Sequence, residues 1–352
     1  MISAPSLQNR VCPMPHNDDE RIQLGHGSGG KMSAQLLRDR FLPRFGSAHL
    51  RALGDGALVP VEGGEIVIST DTFVVSPLEF PGGNIGHLAI HGTVNDLAMM
   101  GATPRYLSVG FVLEEGLELP VLDRILDSMR DTAEACGIEV VTGDTKVVER
   151  GKADGLFVNT TGVGFLPPGF RPGPDRAEPG DVVIVSGPVA RHGMAIMAVR
   201  EGLSFEADIE SDTASLAPLV ASMREAAGPA VHALRDATRG GLASTLNEIA
   251  AASGVGVMLE GPPPVPAPVE AACEMLGLDP LYVANEGVLV AFVSPEAEQD
   301  VLAALRGHPV GIGAACIGVV TDEHPGTVAM RTALGGTRVV DMLPGDQLPR
   351  IC

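Results

Sequence analysis

Pro167-Pro168-Gly169-Phe170-Arg171-Pro172-Gly173-Pro174 interrupts the chain near its midpoint. A run so rich in proline and glycine supports neither helix nor sheet, so it reads as a junction between two blocks. Upstream, residues 66–70, 106–112, 138–142 and 156–163 read as strands. Asn84 can cap a helix running to about Met100, closed by Gly101 and Pro104. Leu122, Ile125, Leu126, Met129, Ala133 and Cys136 recur with helical period, which predicts a helix over about 119–136 ending at Gly137. Downstream, strands are expected at 181–185 and 288–293, with helices to about Glu201 and over 216–227 and 242–252. This alternation predicts an α/β protein of two units. The divisions are a flexible lead at 1–21, a first domain at 22–167, a second at 177–343 and a mobile tail at 344–352.

Composition bounds the function. The chain has 352 residues, 45% of them hydrophobic, enough for two full cores. Its net charge of −20 argues against a nucleic-acid backbone as partner. Cys12, Cys136, Cys273, Cys316 and Cys352 are odd in number, far apart and form no C-x-x-C pair. Reduced thiols and a cytoplasmic setting are expected. No signal-peptide core opens the chain, and no run approaches the ~20 apolar residues of a membrane helix.

Gly25-His26-Gly27-Ser28-Gly29-Gly30-Lys31 spells G-x-x-x-x-G-K. Met32 stands where a P-loop needs Ser or Thr, and no apolar strand precedes it, so a Walker motif is rejected. Glycine N–H groups can still approach an anion closely, with Lys31 adding charge; a plain flexible loop is the alternative. Acidic residues recur at turn-like places: Gly54-Asp55-Gly56, Thr70-Asp71-Thr72, Asn95-Asp96 and Gly143-Asp144-Thr145-Lys146. Any one is an ordinary turn, whereas four beside a glycine loop suit Mg²⁺ shared with substrate phosphates. Asp236-Ala237-Thr238-Arg239-Gly240-Gly241-Leu242 leads into a helix that Asp or Thr could cap, and Glu286 stands at a strand mouth in Asn285-Glu286-Gly287. Cys12 with His16 lacks further ligands for a metal, and His87 with His91 reads as a partly exposed helix face.

The chain ends Leu348-Pro349-Arg350-Ile351-Cys352. At about 3.3 Å per residue, the nine residues from Pro344 could carry the terminal thiol roughly 30 Å. Such a thiol can be loaded at one site and delivered to another; a frayed terminus is the plainer alternative.

GHGSGGK at 25–31, TGDTKVV at 142–148, DATRGGL at 236–242, NEG at 285–287 and PRIC at 349–352 together resemble the HypE family of hydrogenase maturation factors. That family belongs to the aminoimidazole ribonucleotide synthetase and selenophosphate synthetase superfamily. The likeness runs from about residue 21 to the end, and the terminal PRIC is its discriminating part.

The resemblance implies a two-domain α/β (α+β) fold, a homodimer paired through the N-terminal domains, and ATP near that interface. It implies that a carbamoyltransferase, HypF, loads a carbamoyl group on Cys352. ATP-dependent dehydration to a thiocyanate follows, and cyanide passes to iron on a HypC–HypD complex. Gly27, Ser28, Gly29, Gly30, Lys31, Asp71, Asp96, Asp144 and Thr145 are then expected to bind ATP. Asp55, Asp71, Asp96 and Asp236 are expected to bind Mg²⁺, and Cys352, Lys146 and Glu286 to carry the catalysis. Phosphorylating the amide oxygen turns a poor leaving group into phosphate, so alignment and charge neutralisation are required. Glu286, anionic at neutral pH, is the expected base, and Arg350 is expected to favour the thiolate. A synthetase or kinase acting on a free small molecule is the alternative, but it gives no reason for the tail. An ATP-regulated scaffold would not need Lys146 and Glu286 together.

Overall fold

Two antiparallel-rich sheets carry the chain, and a core of apolar side chains runs between them. The structure, a computed structural model, describes residues 22–45, 47–203, 209–332, 334–343, 345, 348 and 350–352. The expected flexible lead and Cys12 lie outside the described residues.

The first sheet contains β1 (Ala57–Val61), β2 (Gly64–Phe73), β3 (Thr103–Glu114), β4 (Glu139–Val148) and β5 (Leu156–Phe165), in the order β1-β2-β5-β3-β4. Helix α1 (Ile85–Met99) crosses β2 and β5, and Asn84 caps it by accepting from the N–H groups of Gly86 and His87. Nearly every side of α1 is buried, so it lacks an amphipathic stripe. Helix α2 (Leu119–Ala135) buries only Ile125, Met129 and Ala133 with Thr132, one stripe along its length.

Sequence reading ended the strand after Ile138 at Thr142 because Gly143-Asp144 resembles a turn. The parallel ladder with β3 instead continues to Val148. Thr70-Asp71-Thr72 likewise lies inside β2, and Asp96 lies in α1, so only Asp55 of the four acidic places sits outside regular structure. Edge strand β4 is exposed nearly throughout, with Val140, Val141 and Val147 at 45%, 53% and 68% exposure.

The second sheet contains β6 (Val182–Val185), β7 (Val231–Asp236), β8 (Gly256–Leu259), β9 (Leu289–Val293), β10 (Ala315–Thr321), β11 (Val328–Arg331) and β12 (Thr337–Val339). Its order is β12-β11-β8-β10-β6-β9-β7. Helices follow as α3 (Arg191–Arg200), α4 (Ala217–Ala227), α5 (Gly241–Ser253), α6 (Ala267–Leu276) and α7 (Glu298–Arg306). Alternation along β6 sends Val183 and Val185 into the core of α5, and Val182 and Ile184 into that of α4 and α7. Covered on both faces, β6 and β9 read as unbroken apolar runs.

A third core joins the two units: Phe73, Ile85 and Leu88 meet Met194, Ile196 and Val283. Leu348 and Ile351 of the tail belong to it. Val74 N–H donates to the Cys352 carbonyl at 3.1 Å, and Ser76 N–H to that of Arg350 at 3.2 Å. The described end of the expected mobile arm is therefore docked here; Pro344, Asp346, Gln347 and Pro349 lie outside the described residues.

Candidate active site

Asp55 before β1, Asp96 within α1 and Asp236 at the end of β7 arrive from three elements, with carboxylate oxygens within 4.8 Å of one another. Ser69 on β2 donates to Asp96 Oδ2 at 2.6 Å. Burial first, then repulsion from Asp236, Asp71 and Asp55, holds the Asp96 carboxyl well above the usual range. Asp236 is pushed up to about 8 by burial and by Asp55. Burial also raises Asp55, opposed by Arg235, whose Nε lies 3.2 Å from Asp55 Oδ1 and whose other arm pairs with Glu248. Crowded carboxylates with one guanidinium among them form an all-oxygen donor set that fits a hard divalent cation.

Glu286 lies beside this recess, 3% exposed. Its N–H donates to Asp212 Oδ1 at 3.0 Å, while its Oε1 is buried without a partner. Gly287 follows because any Cβ there would overlap the Asp212 carbonyl oxygen. Burial, Asp236, Asp71 and Asp212 hold the Glu286 carboxyl well above the carboxylate range. Negative neighbours therefore disfavour the charged form of the expected base in this arrangement. Cys352 places its thiol near Glu286, and burial first, then the Glu286 charge, pushes the thiol well above its ordinary value.

Arg239 is the cation that acts on the Cys352 thiol. The expected one, Arg350, pairs with Asp154 instead, because the docked backbone turns it outward. Arg239 Nη1 also donates to the Gly27 carbonyl at 3.0 Å, so DATRGGL braces the glycine loop. At Gly29, with φ +74, a Cβ would come within 2.8 Å of the Arg239 carbonyl oxygen. Gly30 caps the short helix Lys31–Leu36, and the Lys31 ammonium is paired with Asp341. Ser28 donates to the Gly25 carbonyl at 2.8 Å. Neither Asp236 nor Thr238 caps α5: Gly240, left-handed at φ +76, does so with no side chain.

The fold thus gathers Asp55, Asp71, Asp96, Asp236, Glu286 and Cys352, with the glycine loop tied to them through Arg239. It does not gather Asp144, Thr145 and Lys146 of the same chain. Those lie exposed on β4, where Lys146 Nζ meets Asp144 Oδ2 at 2.5 Å and holds that carboxyl below the usual range. Asp144 and Thr145 border an open concavity of about 600 Å³ with Val109, Phe111 and Thr142. Arg239 was legible as the lone cation of its motif; Asp212 and Arg235 carried no local signal. Among the described residues, no helix is long and apolar enough to cross a membrane.

Residues 53–166 match the model of the AIR synthase related protein N-terminal domain, and residues 178–331 that of the C-terminal domain. The fold is therefore that of an AIR synthase related protein. Carbamoyl dehydratase HypE of Rhizobium leguminosarum bv. viciae is 53% identical over 333 residues, covering 94% of this chain and 95% of the relative. Carbamoyl dehydratase HypE of Escherichia coli K12 is 48% identical, covering 94% and 99%. A crystal structure of a HypE–HypF complex superposes with TM-score 0.83 at 41% identity, over 88% of this chain and 99% of that one. HypE crystallised with ATP gives 0.79 at 47% identity, over 93% and 98%. The chain belongs to the HypE family of carbamoyl dehydratases.

Proposed function

We propose that this chain uses ATP to dehydrate a carbamoyl group carried on its own Cys352, giving a thiocyanate that supplies cyanide to the iron of [NiFe] hydrogenase. One observation carries the reading: the described end of the tail is docked, Val74 N–H holding Cys352 at 3.1 Å, with the thiol near enough to Glu286 and Arg239 to feel both charges. Relatives named carbamoyl dehydratase, and one crystallised with ATP, support it.

The roles follow from position. The glycine loop from Gly27 to Lys31 holds the triphosphate, with Asp71 and Asp96 of the same chain and Asp144 and Thr145 of the partner subunit completing the nucleotide site. Asp55, Asp71, Asp96 and Asp236 hold Mg²⁺, which when bound supplies charge neutralisation for phosphoryl transfer. Glu286 as the carboxylate takes a proton from the carboxamide nitrogen, and Arg239 faces the sulfur-borne group. Lys146 contacts the carboxamide. Because it lies on the bare edge of β4, we assign that contact to Lys146 of the partner subunit in a homodimer paired along this edge. The chain divides into domains at 22–167 and 177–343, and the tail from 344 moves between loading, dehydration and delivery. HypF loads it and HypC–HypD receives the product, in the cytoplasm. Support for the first partner comes from the HypE–HypF complex.

Intact mass tests the reading. Incubation with the carbamoyltransferase, carbamoyl phosphate and ATP, then desalting, is expected to add about 43 Da at Cys352, and fresh Mg–ATP to remove about 18 Da. ATP turnover on a free metabolite with no adduct at Cys352 would favour a small-molecule synthetase instead.

A further inference from the structure

We propose that His192 and Ser211 form a positioning pair that grips the Ile351 carbonyl and thereby sets the Cys352 thiol against Glu286. The inference rests on the function proposed above and adds residues absent from that scheme.

His192 is the second residue of α3 and has no exposed surface. Its Nε2 lies 2.7 Å from the Ile351 carbonyl oxygen and its Nδ1 2.8 Å from Ser211 Oγ. Donor bookkeeping assigns the protons. Thr213 N–H donates to Ser211 Oγ at 3.1 Å, so the serine hydroxyl is free to send its own hydrogen to Nδ1. The neutral ring then carries its proton on Nε2 and donates it to the Ile351 carbonyl oxygen, which can only accept. Ser211 is itself held, its N–H donating to the Pro81 carbonyl at 2.9 Å, and the edge of the Phe80 ring packs on the imidazole at 5.5 Å between centroids.

The next residue, Asp212, accepts from the Glu286 N–H at 3.0 Å. The segment Ser211-Asp212-Thr213 therefore holds Glu286 on one side and, through His192, the residue before Cys352 on the other. A rigid link between base and tail is the arrangement that brings two reacting groups into register. Val74 and Ser76 take the carbonyls of Cys352 and Arg350, and Arg200 contacts that of Arg350. Each of these grips reads tail backbone, and the His192 grip is the one tied through Ser211 to the segment that holds Glu286. If the tail withdrew, the imidazole N–H would lose its partner inside the fold, so withdrawal is disfavoured.

The test uses the full-length chain, native and as His192→Ala, His192→Gln and Ser211→Ala, pre-carbamoylated and desalted. Two rates are read: single-turnover dehydration with Mg–ATP, and iodoacetamide labelling of uncarbamoylated Cys352, followed by peptide mass with exposed Cys316 as internal reference. His192→Ala is expected to slow dehydration about tenfold or more and to speed Cys352 labelling several-fold, without slowing loading by the carbamoyltransferase. His192→Gln, which keeps a donor for the carbonyl, is expected to restore most of both rates. Ser211→Ala is expected to move both in the same direction by less, and it decides the matter should His192→Ala not fold. Native dehydration and native labelling in the folded alanine variants would overturn the positioning role. Failure of the native chain to dehydrate its own adduct would overturn the proposed function, while the labelling comparison would still decide whether His192 grips the tail.

Discussion

The Cys352 thiol and the Glu286 carboxyl lie together in a recess whose burial pushes both well above their ordinary values. Neither group is ready to react alone. Burial disfavours the charged form of each, so charge brought in with the substrates must offset it.

Glu286→Gln tests the base directly. The amide preserves shape and hydrogen-bonding capacity but cannot take a proton. Dehydration of the preloaded chain is expected to fall about 100-fold or more, while loading of Cys352 persists. Single-turnover mass spectrometry reads both, and an unimpaired variant would remove Glu286 from the reaction.

Asp236→Asn removes one of three crowded carboxylates. Melting of the metal-free protein is expected to rise by a few degrees, because like-charge repulsion in a buried recess is relieved. The further rise that Mg–ATP gives the native protein is expected to vanish. A native response to Mg–ATP would place the cation elsewhere.

Arg239 braces the glycine loop through the Gly27 carbonyl and also faces the thiol. Arg239→Gln is therefore expected to weaken ATP binding and to slow dehydration together, each by about tenfold. Calorimetric titration and single-turnover rates check the pair; loss of one without the other would show that the two contacts are independent.

His192 gives a pH signature. Burial lowers it from 6.5 to about 4, opposed by the Ile351 hydrogen bond and reinforced by the Arg200 charge. Between those values the unfolded chain binds the proton that the folded chain refuses, so stability rises with pH through the window. The contribution is full above about 6.5 and is lost as pH falls toward 4, amounting to about 3 kcal/mol. Chemical denaturation of the native chain against His192→Gln from pH 7 to 4.5 should show a shallower loss in the variant. Parallel curves would mean that His192 does not titrate in this way.

Much of the second unit was legible, because strands covered on both faces leave unbroken apolar runs such as 289–293, and long helices leave a period or a cap. The acidic places were legible as residue types but not as local structure. Asp71 and Asp144 occupy strand positions whose turn-like spelling is overridden by ladder pairing with β5 and β3.

Residue identity alone determined the chemistry on offer: a terminal thiol, a glycine loop, four recurrent aspartates, and a glutamate ahead of an apolar strand. Those groups are read from their types and near neighbours, whose effects act over a few residues. Tertiary structure alone decided which of them meet and in what state. Asp55, Asp96 and Asp236 converge from a loop, a helix and a strand end separated by up to 181 positions in the chain, and only that convergence in a dry recess raises their carboxyls. Arg239 rather than Arg350 faces the thiol, and His192 reaches a carbonyl 159 residues away. Contacts so distant along the chain leave no periodicity or motif, because packing rather than local conformation brings them about.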